Sequence, residues 1–177
     1  MKVIPVENHF NFHFGNAFED DNGNVIFDTV RADHVDFDVT KNGRPVWENN
    51  VLFDEIHTTK LVRYTLDIES CCISEHLPPR SIITHSPEFP SIPKQLSTKK
   101  LRYNIYPVAA HKVFVSENGI GFSAPAGSIV KADAEDPKLN EMYAFEANEF
   151  PGEATFVSKK GKDVSKPDEE DAGYLIV

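Results

Sequence analysis

Cysteine is nearly missing from this chain: 177 residues carry two, Cys71 and Cys72, and they are sequence neighbours. Adjacent cysteines have neither CxxC nor zinc-ligand spacing and build no disulfide framework, so two thiols in a reducing compartment are expected. Positive charge is also short. Eighteen Lys and Arg face 28 Asp and Glu, giving a net charge of −10 and a pI near 5.1. That balance argues against nucleic acid or an anionic membrane surface as an electrostatic partner. Long apolar runs are absent, so no transmembrane helix and no signal-peptide core is expected, while a peripheral membrane contact stays open. A cytoplasmic or plastid location is expected over a secreted one. No segment sustains a 3.6-residue period over three turns, which excludes a helical architecture.

What remains reads as all-β. Hydrophobic residues make up 40% of the chain, enough to bury one core. Short apolar stretches rich in Val, Ile, Phe and Tyr predict strands at Asn24–Val30, His34–Val39, Lys60–Ile68, Ser81–Thr84, Leu101–Tyr106, Lys112–Val115, Ser128–Ala132 and Ala154–Ser158. Asp21-Asn22-Gly23-Asn24, Lys41-Asn42-Gly43 and Glu117-Asn118-Gly119 are turn chemistry. Asp133–Asn140 has room for one helical turn, limited by Pro137. Leu61-Val62-Arg63 and Ile129-Val130-Lys131 share an apolar–Val–basic opening followed by an aspartate, the echo expected of equivalent strands in successive repeats. Ser158–Asp171, lysine-rich and then acidic, reads as a solvated surface loop, and nothing inside the chain reads as a domain linker.

The most informative segment runs from His9 to Glu19. Phe10, Phe12 and Phe14 alternate with His9, Asn11 and His13, the period of a strand. His9 and His13 then share a face but stand roughly 13 Å apart, whereas two imidazoles on one metal need nitrogens about 2.0–2.1 Å from it. At most one of them binds a given metal, and a histidine on an aromatic strand is by default a packed side chain.

Phe12-His13-x-x-Asn16-Ala17-x-Glu19 resembles the FHxxNAxE motif of the carotenoid cleavage oxygenases. Two further segments resemble the same family in the same order. Pro87-Glu88-Phe89-Pro90-Ser91-Ile92 with Leu101-Arg102-Tyr103-Asn104-Ile105-Tyr106 is similar to its EFPxI…RYxY stretch. Gly152-Glu153-Ala154-Thr155-Phe156-Val157 with Glu169-Glu170-Asp171-Ala172-Gly173-Tyr174-Leu175 is similar to its GEPxFVP…EDDGYL stretch. Ala154 replaces the usual proline, and Ala172 the usual second aspartate.

The resemblance implies a β-propeller, with residues 1–177 supplying about three blades of a seven-bladed ring truncated at both ends. It implies a non-haem Fe(II) site held by four histidines, of which His13 would be the third. The other three are expected outside this stretch, leaving the isolated segment inactive. Glu88 and Glu153 match glutamates that accept the second ring N–H of ligand histidines in the family; Glu19 is left outside the site. The implied reaction is O2-dependent cleavage of one conjugated double bond in a carotenoid or apocarotenoid, giving two carbonyl products. Thirteen phenylalanines would suit an apolar tunnel, but most are expected in the core. The alternative is a non-catalytic β-rich module that binds an apolar ligand or another protein.

Overall fold

A computed structural model describes residues 2–33, 40–41, 44–45, 59–75, 77–83, 87–109, 126–146 and 149–177. The expected strands His34–Val39 and Lys112–Val115 and the turns at Asn42-Gly43 and Asn118-Gly119 lie outside them. The described residues are all-β, with two single 3₁₀ turns and no α-helix. Twelve strands follow in chain order: β1 (Phe10–Glu19), β2 (Val25–Ala32), β3 (Thr40–Lys41), β4 (Arg44–Pro45), β5 (Thr59–Asp67), β6 (Cys72–Ile73), β7 (Arg80–Ile83), β8 (Tyr103–Ala109), β9 (Ala126–Asp133), β10 (Glu141–Ala144), β11 (Thr155–Ser158) and β12 (Gly173–Ile176).

They form successive antiparallel sheets. In the first, β1 pairs with β2 and β2 with β5, while β6 and β7 both pair with β5. The second has the order β10-β9-β8; β11 and β12 make a hairpin, as do β3 and β4. The Asp20–Asn24 turn joins β1 to β2 where Asn-Gly chemistry predicts it. Asp20 Oδ1 accepts from the backbone N–H groups of Asn22 and Asn24, both at 2.9 Å, and Gly23 takes the φ of +78° that glycine adopts freely. The helical turn expected near Pro137 is a 3₁₀ turn at Pro137–Leu139, capped by Asp136.

The two echoing segments fall on β5 and β9, each central in its sheet. Their apolar residues also meet. Leu61 of β5, Val30 of β2 and Ile82 and Ile83 of β7 cluster with Val130 and Ala132 of β9, joining the first two sheets through one core. In each of these two sheets a buried aspartate is met by an arginine. Arg63 meets Asp28 through two parallel bonds of 2.7 and 2.8 Å, and Arg102 meets Asp133 at 2.8 and 3.0 Å.

Two expectations are corrected. Ser158–Asp171 is not a purely solvated loop: Val164 is buried with Leu96 and Leu101, and buried Glu170 accepts from the backbone N–H groups of Arg102 and Tyr103, both at 2.7 Å. This ties the last motif to the middle one and satisfies the two amides where β8 begins. Gly173 is equally constrained, since a Cβ there would lie 2.4 Å from the Phe156 ring and 2.5 Å from the Val157 carbonyl. Nor do most of the described phenylalanines lie in the core, although Phe145 and Phe156 pack against its edges. Among the described ones only Phe18 is buried, while Phe12, Phe14, Phe89 and Phe150 are exposed.

Asn16 closes the fold around the first motif. It is 2% exposed; its Nδ2 donates to the Lys99 carbonyl at 2.6 Å and its Oδ1 accepts from the Thr98 N–H at 3.3 Å. Asn16→Ala would strip partners from two backbone groups, and a loss of about 1–3 kcal/mol in stability is expected, read as a lowered thermal midpoint.

Candidate functional site

His13 sits between two irregularities of β1. The β1–β2 register slips between Asn11 and His13 and again between Phe14 and Ala17. Each slip inserts unpaired residues that kink the strand and re-aim its side chains. Simple alternation is therefore lost: Phe14 is 63% exposed, whereas Asn16 turns inward. The Thr29 hydroxyl donates to the His13 carbonyl at 3.2 Å and steadies the kinked stretch.

Glu88 reaches the same imidazole from a distant part of the chain. His13 Nδ1 and Glu88 Oε2 are 2.9 Å apart, across 75 residues of sequence. The approach is pinned one residue earlier, where the Thr59 hydroxyl donates to the Pro87 carbonyl at 2.9 Å. With the Nδ1–H given to a carboxylate, the imidazole is held in the tautomer whose Nε2 keeps its lone pair. Nε2 is the atom such a histidine offers to a metal.

Burial pushes the Glu88 carboxyl above its ordinary value of 4.5, against the opposing pull of His13. A raised folded-state value means the native chain binds this proton more tightly than the unfolded chain. Glu88 therefore favours folding most at low pH, and that contribution fades as pH rises from 4.5 through the raised value. Glu88→Gln should accordingly gain stability relative to the unaltered chain as pH rises through that window, and the gap should level off above it. Denaturant midpoints of both chains between pH 4.5 and 7.5 check this.

The Phe89 ring lies 5.0 Å from the His13 ring, and both line a cleft of about 470 Å³ whose wall includes Phe14, Ile92 and Glu153. Glu153 is exposed on that wall and has no hydrogen bond or ion pair among the described residues. The structure thus brings His13 and Glu88 into contact and sets Glu153 on the same cleft. His9 is elsewhere, stacked on Tyr64 at 5.7 Å, with its Nδ1 2.7 Å from the Glu7 carbonyl oxygen. Glu19 lies at the far end of β1, opposite Val25. Sequence reasoning missed the anchoring roles of Asn16 and Glu170; both stand inside the quoted motifs, so position was the available signal and burial was not.

Among the described residues no three His, Cys, Asp or Glu side chains cluster closely enough to hold a metal ion. The residues present fit one metal-ligand position: an imidazole on the wall of a cleft, with one nitrogen engaged by a carboxylate and the other without a partner among the described residues. Both cysteines are free, and no helix of the described residues is long and apolar enough to cross a membrane.

Comparison with known proteins agrees across the whole chain. Residues 1–177 match the family model described as retinal pigment epithelial membrane protein, RPE65. Apocarotenoid-15,15'-oxygenase of Synechocystis sp. (strain ATCC 27184 / PCC 6803 / Kazusa) is 30% identical over 176 residues, which is 99% of this chain and 31% of that protein. An ACO/RPE65 chimera superposes with a TM-score of 0.75 at 29% identity, over 97% of this chain and 31% of its own. Cobalt-substituted Synechocystis ACO gives 0.74 at 27% identity with the same coverage. The chain spans about a third of the length of these relatives.

Proposed function

The chain belongs to the retinal pigment epithelial membrane protein family, that of the carotenoid oxygenases, and from this membership we propose that it forms part of a non-haem Fe(II) oxygenase. Its substrate would be a carotenoid or apocarotenoid, cut at one conjugated C=C bond by O2 to give two carbonyl products. The observation that carries this reading is the His13–Glu88 contact at 2.9 Å, which leaves the opposite ring nitrogen without a partner among the described residues, on a histidine that lines a cleft of mixed polar and apolar character.

In this reading His13 supplies one imidazole of the metal site through Nε2. Glu88 holds the Nδ1 proton, fixes the ring orientation and raises the basicity of Nε2. Glu153, which has no partner among the described residues, would brace a further ligand histidine contributed from outside this stretch. Bound Fe(II) would supply the capacity to activate O2, which imidazole and carboxylate groups lack by themselves. The cleft's own task is to seat an extended apolar chain and keep water from the ring, work suited to Phe14, Phe89 and Ile92.

The sheets would be about three blades of a seven-bladed ring. The exposed apolar side chains Met142 and Tyr143 of β10 and Tyr174 and Ile176 of β12 are what such a blade buries against its neighbours. The test is turnover: the full-length protein with Fe(II), O2 and an apocarotenal should yield two shorter carbonyl products by mass spectrometry. The His13→Ala protein should yield neither. Intact substrate with both proteins would refute the assignment and favour the non-catalytic binding module.

A further inference from the structure

We propose that Phe89 is a positioning residue: its left-handed backbone turns two consecutive side chains, Glu88 and its own ring, onto the His13 imidazole. In an extended strand neighbouring side chains point to opposite faces. Here the Glu88 carboxylate lies 2.9 Å from Nδ1 and the Phe89 ring 5.0 Å from the centre of the same imidazole. The backbone explains how both reach it. Phe89 has φ +46°, in the left-handed region that bulky residues avoid.

Nothing local favours that conformation. Phe89 precedes Pro90, and a residue before proline is driven toward extended geometry. Its ring is 44% exposed, so burial is a weak reason to hold the chain there. Among the described residues two other non-glycine positions share a positive φ, Cys71 in the β5–β6 turn and Thr98 beside Asn16, but neither touches His13. A strained residue kept at the one place where it aims a carboxylate at an imidazole is strain tied to the site. The consequence is a single His13 tautomer, with Nδ1 protonated and Nε2 free; only the use of that Nε2 by a metal rests on the proposed oxygenase reading.

The test separates backbone from ring. Phe89→Asn removes the ring but accepts the left-handed conformation; Phe89→Val removes the ring and resists it, with Phe89→Ala as a milder substitute should the valine protein not fold. The full-length protein, metal-free and labelled with 15N-histidine, reports the tautomer, with His13→Gln assigning the resonances. The asparagine variant should keep the Nδ1–H form with an undiminished thermal midpoint. The valine or alanine variant should show both tautomers and, when loaded with Co(II), a metal affinity about 10-fold lower or worse. The same tautomer pattern in both classes would overturn the proposal: if both stay fixed Phe89 does not position the pair, and if both scramble the ring does it. The oxygenase reading fails separately, if His13→Gln binds Co(II) as tightly as the unaltered protein.

Discussion

Arg63→Met is expected to lower folding stability by about 3–5 kcal/mol, seen as a reduced urea midpoint with an unchanged slope. Asp28 is 0% exposed, on β2, and Arg63 meets it from the adjacent β5 with two charge-assisted bonds, its guanidinium also lying 5.7 Å from the Phe18 ring. Methionine keeps much of the stem's packing but offers the aspartate none of those donors, so a buried carboxylate loses both charge-assisted bonds from Arg63. The cost falls on the remaining charge rather than on the pair as such. Arg63→Met combined with Asp28→Leu should therefore recover much of the loss, a strong coupling of the kind a double-mutant cycle isolates. A single mutant within 1 kcal/mol of the unaltered chain would show that the pair does not hold β2 to β5.

That pair was only half visible in the sequence. The echo between Leu61-Val62-Arg63 and Ile129-Val130-Lys131 marks two central strands correctly, because central strands bury both faces and carry dense apolar patterns. The basic residues of the echo nonetheless differ in their partners, Arg63 reaching Asp28 while Lys131 reaches Glu141 and Asp171. β10 and β12 were illegible for the opposite reason. Glu141–Ala144 is exposed along its whole length and Tyr174–Ile176 likewise, so neither strand carries an inward face within this chain to create alternation. The alternation of Phe10, Phe12 and Phe14 identified β1 but misplaced its side chains, because the register slips on either side of His13 are backbone events that period-2 patterning does not encode.

The site divides the same way. No periodicity links His13 to Glu88 across 75 residues; family motifs alone marked Glu88 as the partner of a ligand histidine, and the structure sets the two atoms 2.9 Å apart. Glu153 matched by motif as well, and stands on the same cleft with no partner among the described residues. The anchors Asn16 and Glu170 escaped notice because polar side chains read as surface until their burial is seen.

Glu88→Gln should weaken metal binding by the full-length protein about 10- to 100-fold. The amide keeps the shape and still accepts a hydrogen bond from His13 Nδ1, but it carries no charge to raise the basicity of Nε2. Glu88→Asp keeps the charge and shortens the reach, so its loss should fall within the same range. Competition against a chelator of known affinity reads both. A Glu88→Gln protein with unchanged affinity would reduce the 2.9 Å contact to a packing detail.

In the proposed oxygenase site His13, and not His9, is a metal ligand. The direct measurement is iron content of the full-length protein by mass spectrometry, compared across the unaltered, His9→Ala and His13→Ala forms at matched folded fraction. Stoichiometric iron in the first two and its loss from His13→Ala is the predicted result. Equal iron in all three, or loss confined to His9→Ala, would contradict it.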